Sequence, residues 1–292
     1  LGGVVRPHER TLPGPKADQL ALMRAAGAQL SPIFGLYGRG GASLRELLGA
    51  AVSAPPAIDV TEDGGNVHRL WCVTDPAAIA RVAEALAPET VIIADGHHRY
   101  ETALAYRNER GGAAATVLAF LANTEQEGLV ILPTHRLVRG PLGVAADVLA
   151  ARLAAEFVVE PLPVRARAAG EIDCLLPDRR LRLRPRPAAR ARLAQLPAAV
   201  RTLDVALLHG AILGPVLGVE AGGLEFTHDD AEAVDAAASG RAAAAFCLNP
   251  PTLGEVRGVC MAGELMPEKS TYFYPKLASG LVFDLVGPPW VA

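Results

Sequence analysis

Apolar residues along this chain recur with two different spacings, and the spacing changes every ten to twenty residues. The opening LGGVV reads as a short strand. Helical periodicity starts at Ala17 and runs through ADQLALMRAAGAQ. SPIFGLYG is a strand bounded by Pro32 and Gly38, and residues 44–51 form a short helix. Residues 67–73 alternate as a strand. Asp75 then caps a helix with Pro76 at its first position and a periodic run through AAIARVAEAL. VIIAD is a strand, YETALAYRNER a helix, and TVLAFLAN and GLVILPTHRLV are further strands.

Near Arg139-Gly140-Pro141 the pattern resets. VAADVLAARLAAEF is an amphipathic helix, and LDVALLHGAILGPVLG is another after a stretch rich in proline and arginine. Strand and helix then alternate through EFTHD, DDAEAVDAAASG, AAAAFCLN, TLGEVRGVCMAGEL and GLVFDLV. This pattern predicts an α/β (α+β) protein of two domains, residues 1–140 and 141–292. The second is expected to be the smaller, and to complete a cleft with the first.

Composition narrows the functional classes. The 292 residues are 51% hydrophobic, which is ample for a packed core, and the net charge of -3 argues against a nucleic-acid partner. The arginines of RRLRLRPRPAARARL, residues 179–192, are interrupted by Pro185 and Pro187 and read as a solvated strand and loop. Cys72, Cys174, Cys247 and Cys260 form no CxxC pair and sit in apolar runs. They are expected to be reduced, buried thiols of a cytoplasmic protein. No apolar run reaches the roughly 18 residues of a membrane span, and no signal peptide is visible. The chain opens on Leu1 rather than Met, as a fragment or processed protein would.

Candidate chemistry concentrates in TVIIADGHHRYETALAYRNER. With a strand ending at Ala94 and a helix beginning near Arg99 or Tyr100, residues 95–98 form the turn. Gly96 allows a tight bend. The first helical N–H groups lack intrahelical partners and form an anion site with the positive end of the helix dipole. His97, His98 and Arg99 add donors, and Arg99 can grip phosphate or carboxylate bidentately. Asp95 would repel an anion unless it held Mg²⁺ or a substrate hydroxyl or amine, a combination that phosphoryl transfer uses. A plain helix-capping turn is the alternative. Zinc is not supported, since adjacent histidines diverge and neither HExxH nor CxxC occurs, and no GxSxG supports a serine triad.

Three other stretches carry candidates. RPHERTLPGPK presents Arg6, His8, Glu9, Arg10 and Lys16 on a proline-stiffened loop, and Glu9 would be a general base if it faced the turn. In MPEKSTYFYPK, Lys269, Ser270 and Thr271 are phosphate-friendly donors and the aromatics could wall a base, or serve as a hydrophobic staple. His135 and Arg136 follow a strand, where a surface turn is expected, with substrate-carboxylate binding as the alternative.

With those residues in view, the order RPHE, IADGHHRYETAL, PPTLGEVRGVCMAGELMPEKST resembles the free serine kinases of the ParB/sulfiredoxin-like superfamily. It resembles still more a large bacterial family of unknown function sharing the blocks RPHERTLPGPKAD, DGHHRYETALAYR, LPTHR and KSTYFYPKL. The resemblance implies a ParB/sulfiredoxin-like mixed-sheet first domain and a kinase moving phosphate from ADP or ATP, with Mg²⁺, to a hydroxyl acceptor such as free L-serine. It matches Glu9 to a general base, Asp95 to the aspartate near metal and hydroxyl, and Gly96, His97, His98 and Arg99 to a phosphate-binding turn. Lys269, Ser270 and Thr271 match a segment on nucleotide phosphates. The implied partners are a nucleotide and a small hydroxylated metabolite, with no nucleic acid and no membrane, in a monomer or homodimer. The chain departs from the kinases in having Tyr100 where they carry Trp, in a longer segment between Ala17 and Pro88, and in YFYPK after the late block. A nucleotide-binding switch that phosphorylates no metabolite is the alternative. Sulfiredoxin-type repair would need a cysteine where His97 and His98 stand.

Overall fold

The computed structural model describes residues 3–11, 13–38, 41–111, 116–142, 144–219 and 221–286. It is an α+β protein of two compact units, each discontinuous along the chain. Unit 1 comprises residues 1–7, 11–129 and 275–292, and unit 2 comprises 8–10 and 130–274. The expected division at residue 140 is a single cut. The units instead exchange short pieces: the loop with Glu9 belongs to unit 2 and the chain after Tyr274 to unit 1. The second unit is also not the smaller one.

In unit 1, β1 (Val5–Arg6) is followed by α1 (Pro13–Ala26), β2 (Ala28–Gln29) and β3 (Ile33–Tyr37). Next come α2 (Gly41–Val52), the hairpin of β4 (Ile58–Thr61) and β5 (Val67–Leu70), and α3 (Pro76–Leu86). Then β6 (Val91–Asp95), α4 (His97–Arg110) and β7 (Ala119–Asn123) complete the unit's main part. Four strands form a mixed sheet in the order β1-β6-β3-β7, in which β3 runs antiparallel to β6 and parallel to β7. Every residue of β3 is buried, as a central strand covered on both faces requires. Met23 of α1 packs on Ala103 and Tyr106 of α4 together with Val286. A short strand, Asp284–Leu285, returns to pair antiparallel with β2. As expected, Asp75 caps α3, accepting from the amides of Ala77 and Ala78.

Unit 2 holds β8 (Val130–Leu132), β9 (His135–Val138), α5 (Ala146–Glu156), β10 (Phe157–Pro161), β11 (Ile172–Leu175) and β12 (Arg180–Pro185). It continues with α6 (Pro187–Ala191), α7 (Asp204–Leu208), a π-helical turn at His209–Leu217, and β13 (Leu224–Thr227). The last elements are α8 (Asp230–Ala238), β14 (Ala244–Cys247), α9 (Leu253–Met261) and β15 (Tyr272–Tyr274). Its sheet is antiparallel at every pairing, ordered β10-β12-β11-β14-β9-β13. GLVILPTHRLV is thus two strands rather than one. It breaks at Pro133, which cannot donate to a ladder: β8 pairs with β15 and β9 enters the main sheet. Thr252 and Glu255 start α9 with a reciprocal capping box.

Two expectations fail on burial. Cys72 is exposed, while Cys174, Cys247 and Cys260 are buried, and all four are free thiols. The arginine run is not wholly solvated. Arg182 lies inside the sheet at 2% exposure, bonded to Asp173 and, at 2.9 Å, to Glu171. Those acids in turn hold Arg167 at 2.7 Å and Arg165 at 2.7 Å. Charges that would be expensive to bury singly are buried as a compensated network. No helix among the described residues is long and apolar enough to cross a membrane.

Gly35 shows how tightly the mixed sheet is packed: a Cβ there would lie 2.6 Å from Val91 Cγ1 and 2.8 Å from Leu121 Cδ2. Gly35→Ala is expected to destabilise unit 1 by about 1–3 kcal/mol through overpacking, read as a lower denaturant midpoint at unchanged slope.

Candidate functional site

The sequence-predicted site residues fall into two groups, one in each unit. In unit 1, β6 ends at Asp95, and Gly96 takes φ 89°, a left-handed conformation that favours glycine. This sharp turn lets α4 begin at His97, earlier than the expected start near Arg99 or Tyr100, with the Tyr100 amide donating to the Gly96 carbonyl at 2.9 Å. His97 and His98 therefore belong to the first helical turn rather than to a loop. His97 is buried and His98 half-buried.

Arg99 folds back over the turn. Its guanidinium donates to Asp95 Oδ2 at 2.6 Å and to the Pro32 carbonyl. A Cβ on Gly96 would sit 2.9 Å from Arg99 Nε. Asp95 Oδ1 accepts from Lys276 Nζ at 2.9 Å. The carboxylate is thus held between two cations, one from the helix that follows it and one from the returning chain. Asp95, Arg99 and Lys276 line a cavity of about 360 Å³ with polar Gln29, Ser31 and Thr102 and with apolar side chains such as Leu22 and Leu277. Glu101 is nearby in sequence. Burial pushes its carboxyl up, but hydrogen bonds from Lys16 and Thr11 outweigh this and leave it below the ordinary range. Lys276 is the residue that reading the sequence missed. It stands in the quoted block KSTYFYPKL, but nothing local in that block points it to an aspartate far back in the chain.

In unit 2 the Glu9 carboxylate organises the late segment. Its Oε1 accepts from the Ser270 amide at 3.0 Å, and from the Thr271 amide and hydroxyl at 3.3 Å each. Fully buried His8 shares a hydrogen bond of 2.7 Å with the Thr271 hydroxyl and also accepts the Met266 amide on its carbonyl at 2.8 Å. The Ser270 hydroxyl donates to the Pro267 carbonyl. Lys269 is exposed and is the one non-glycine residue with positive φ, 54°, among the described residues. Of the expected phosphate donors in this segment, then, Ser270 and Thr271 already have internal acceptors.

His135 and Arg136 are not in a surface turn. Both lie in β9 with 0% exposure. The Arg136 guanidinium donates to the carbonyls of Thr134, Glu268 and Lys269, the last two at 3.0 and 3.1 Å, and lies over the Phe226 ring. In this structure both side chains are buried and make internal contacts. Burial lowers the Arg136 pKa to about 10, against the attraction of Glu9. Burial lowers His135 to about 4. Asp230 opposes the shift and Arg167, Arg136 and His228 add to it. His209 falls to about 4 through burial and the proximity of Arg136.

Asp95 belongs to no cluster of three potential metal ligands among the described residues. One carboxylate suits a Mg²⁺ ion that brings its remaining oxygen ligands with it on phosphates and water.

These features describe a two-unit α+β protein with an aspartate-centred cationic turn. The chain belongs to the DUF1015 family of proteins of unknown function, whose family model matches residues 1–206. No curated protein matches it in sequence. Among solved structures, SbnI with C-terminal truncation from Staphylococcus aureus is similar at TM-score 0.51 and 14% identity, over 97% of this chain and 84% of that one. That likeness is one of fold. A free serine kinase in complex with AMP aligns at TM-score 0.47 and 14% identity, over 92% of this chain and 83% of that one. A variant of free serine kinase in complex with ADP aligns at TM-score 0.47 and 14% identity, over 92% and 84%.

Two measurements probe this geometry. Glu9→Ala removes the acceptor from two backbone amides, so hydrogen exchange at Ser270 and Thr271 is expected to speed up about tenfold or more, with distant amides of unit 2 unchanged. The pH dependence follows from the two histidines. In the folded state they titrate near 4, and unfolded near 6.5, so between those values the unfolded chain binds more protons. Stability is therefore lost as pH falls from about 6.5 towards 4, with a slope of up to about one proton per histidine. His209→Gln should flatten that slope in urea titrations run across the range.

Proposed function

We propose that this protein is a nucleotide-dependent small-molecule kinase that moves a phosphoryl group from ADP or ATP to a hydroxyl acceptor such as free L-serine. The observation that carries the reading is Asp95, held at 2.6 Å by Arg99 and at 2.9 Å by Lys276 on the wall of a cavity. Cations that neutralise phosphate oxygens beside a carboxylate that can orient a hydroxyl or a phosphate-bound Mg²⁺ are the parts phosphoryl transfer needs. The sequence blocks around Glu9, Asp95 and segment 269–271 support the same reading, which carries with it a ParB/sulfiredoxin-like assignment of the first unit.

In this reading the acceptor oxygen attacks the terminal phosphorus, the bond from that phosphorus to the bridging oxygen breaks, and AMP or ADP leaves. The hydroxyl proton goes to the Glu9 carboxylate. The amides at the start of α4, with His97, His98 and Arg99, receive phosphate oxygens, and Lys276 and exposed Lys269 supply further positive charge. Asp95 would hold a Mg²⁺ ion brought in on the nucleotide, which would supply charge neutralisation at the phosphates. Ser270 and Thr271 reach phosphate by exchanging the bonds they now make to Glu9.

That lock on Glu9 also favours a second reading. A carboxylate committed to three donors suits a nucleotide-responsive switch, in which binding releases segment 269–271 and no metabolite is phosphorylated.

Phosphorus NMR with Mg²⁺ and ADP or ATP, with and without L-serine, separates the two. The kinase reading expects a phosphomonoester signal that requires serine. Glu9→Gln keeps an oxygen for the Ser270 and Thr271 amides but accepts no proton at neutral pH. It should lower turnover by about 100-fold or more while nucleotide binding persists. Nucleotide that binds yet stays intact with every hydroxyl acceptor would leave the switch, and no nucleotide binding would overturn both readings.

A further inference from the structure

Unit 2 contains a cavity of about 290 Å³ lined by Thr134, Arg136, Arg190, Asp204, Asn249 and Glu255 among others. Ser270 also lines it, and Leu203, Val205 and Leu248 give it an apolar wall. Its buried polar groups are unequally satisfied. Arg136 Nε and Thr134 Oγ1 have no hydrogen-bond partner among the described residues, although Arg136 is 0% and Thr134 3% exposed. The rest of the Arg136 fork meets only neutral carbonyl oxygens. No carboxylate among the described residues pairs with it within salt-bridge distance, although Glu9, bonded to segment 269–271, attracts it from further away. A buried guanidinium hydrogen-bonded only to carbonyls, with an unpartnered Nε and a cavity beside it, favours an anion there.

Two carboxylates also line the cavity and offset the charge of its guanidinium groups, but each is hydrogen-bonded within the protein, which leaves Arg136 Nε and Thr134 Oγ1 as the buried polar atoms of the lining without a partner among the described residues. Asp204 accepts from the Gly170 amide at 3.0 Å and from Asn249 Nδ2 at 2.8 Å. Glu255 accepts from the Thr252 amide at 2.7 Å and hydroxyl at 2.8 Å. Arg190 is exposed and adds a second guanidinium. Thr252 and Glu255 also place the N-terminal end of α9 at the lining, where the helix dipole favours negative charge. The volume is near the lower end for ligand pockets, larger than a bare inorganic ion needs.

We propose that this cavity binds a small organic anion, a carboxylate or a phosphate monoester, whose head group takes the Arg136 Nε–H and the Thr134 hydroxyl while its carbon skeleton lies on Leu203, Val205 and Leu248. The site stands whether or not the protein is a kinase, since none of its groups is given a role in phosphoryl transfer except Ser270.

Nitrogen–proton NMR of the arginine side chains of the whole chain tests it. Inorganic phosphate and acetate serve as probes of the two head groups. A slowly exchanging Nε–H resonance should shift saturably, and it should be missing from Arg136→Lys. Thr134→Val keeps the shape of a side chain whose hydroxyl has no internal partner, so the fold should be retained and the affinity should fall about tenfold. Response to phosphate alone assigns a phosphate ester, to acetate alone a carboxylate, and to both an anion site shared by the two. No saturable shift with either probe would overturn the proposal. So would unchanged affinity in Thr134→Val, a test that holds even if Arg136→Lys does not fold.

Discussion

The late segment of unit 2 is held by opposite charges acting on opposite ends of its peptide groups. The buried Arg136 guanidinium takes the carbonyl oxygens of Glu268 and Lys269, and the Glu9 carboxylate takes the next two amides, of Ser270 and Thr271. Each ion satisfies backbone groups that would otherwise be unpaired in a region with little water. Together they stabilise a turn in which Lys269 adopts a left-handed backbone that a lysine does not favour. Neither charge is paired directly to the other at salt-bridge distance, so the backbone between them carries the compensation. The arrangement depends on a three-residue visit of the chain start to unit 2, at residues 8–10.

Unit 1 solves a similar problem with fewer parts. A strand buried at Ile92, Ile93 and Ala94 delivers half-buried Asp95 to the start of α4, where a carboxylate is attracted by the helix dipole. Arg99, one turn later on the same helix, pairs with it, and Lys276 takes its second oxygen. The result is a compact group of charges at a cavity wall in which two cations meet one carboxylate, an excess of positive charge that suits an incoming anion. Buried charge in the sheet of unit 2, around Arg182, is by contrast closed on itself and reads as structural.

Local signals in the chain were strong where one element decides its own form. The proline and aspartate at the start of α3 and the strand-turn-helix around Gly96 are both legible from residue type alone. The special composition of DGHHR, PHE and KST likewise marked Glu9, Asp95, Arg99 and segment 269–271 as worth finding. Strand β11 and the burial of β12, read as a solvated strand, were hidden because Asp173 and Arg182 are buried as a pair, and a single-residue scale counts such residues as exposed.

The sequence by itself determined the alternation of helix and strand, the tight turn at Gly96 and the residue types available for chemistry, because these follow from backbone sterics and local periodicity. Tertiary structure alone decided which of those residues meet. Lys276 reaches Asp95 from 181 positions along the chain, and Glu9 reaches Ser270 from 261. It also turned His135 and Arg136 from an expected surface turn into buried members of β9. The reason is physical: whether a charged side chain is solvated, paired or buried depends on partners brought by distant segments, and no local pattern encodes the identity of a distant partner.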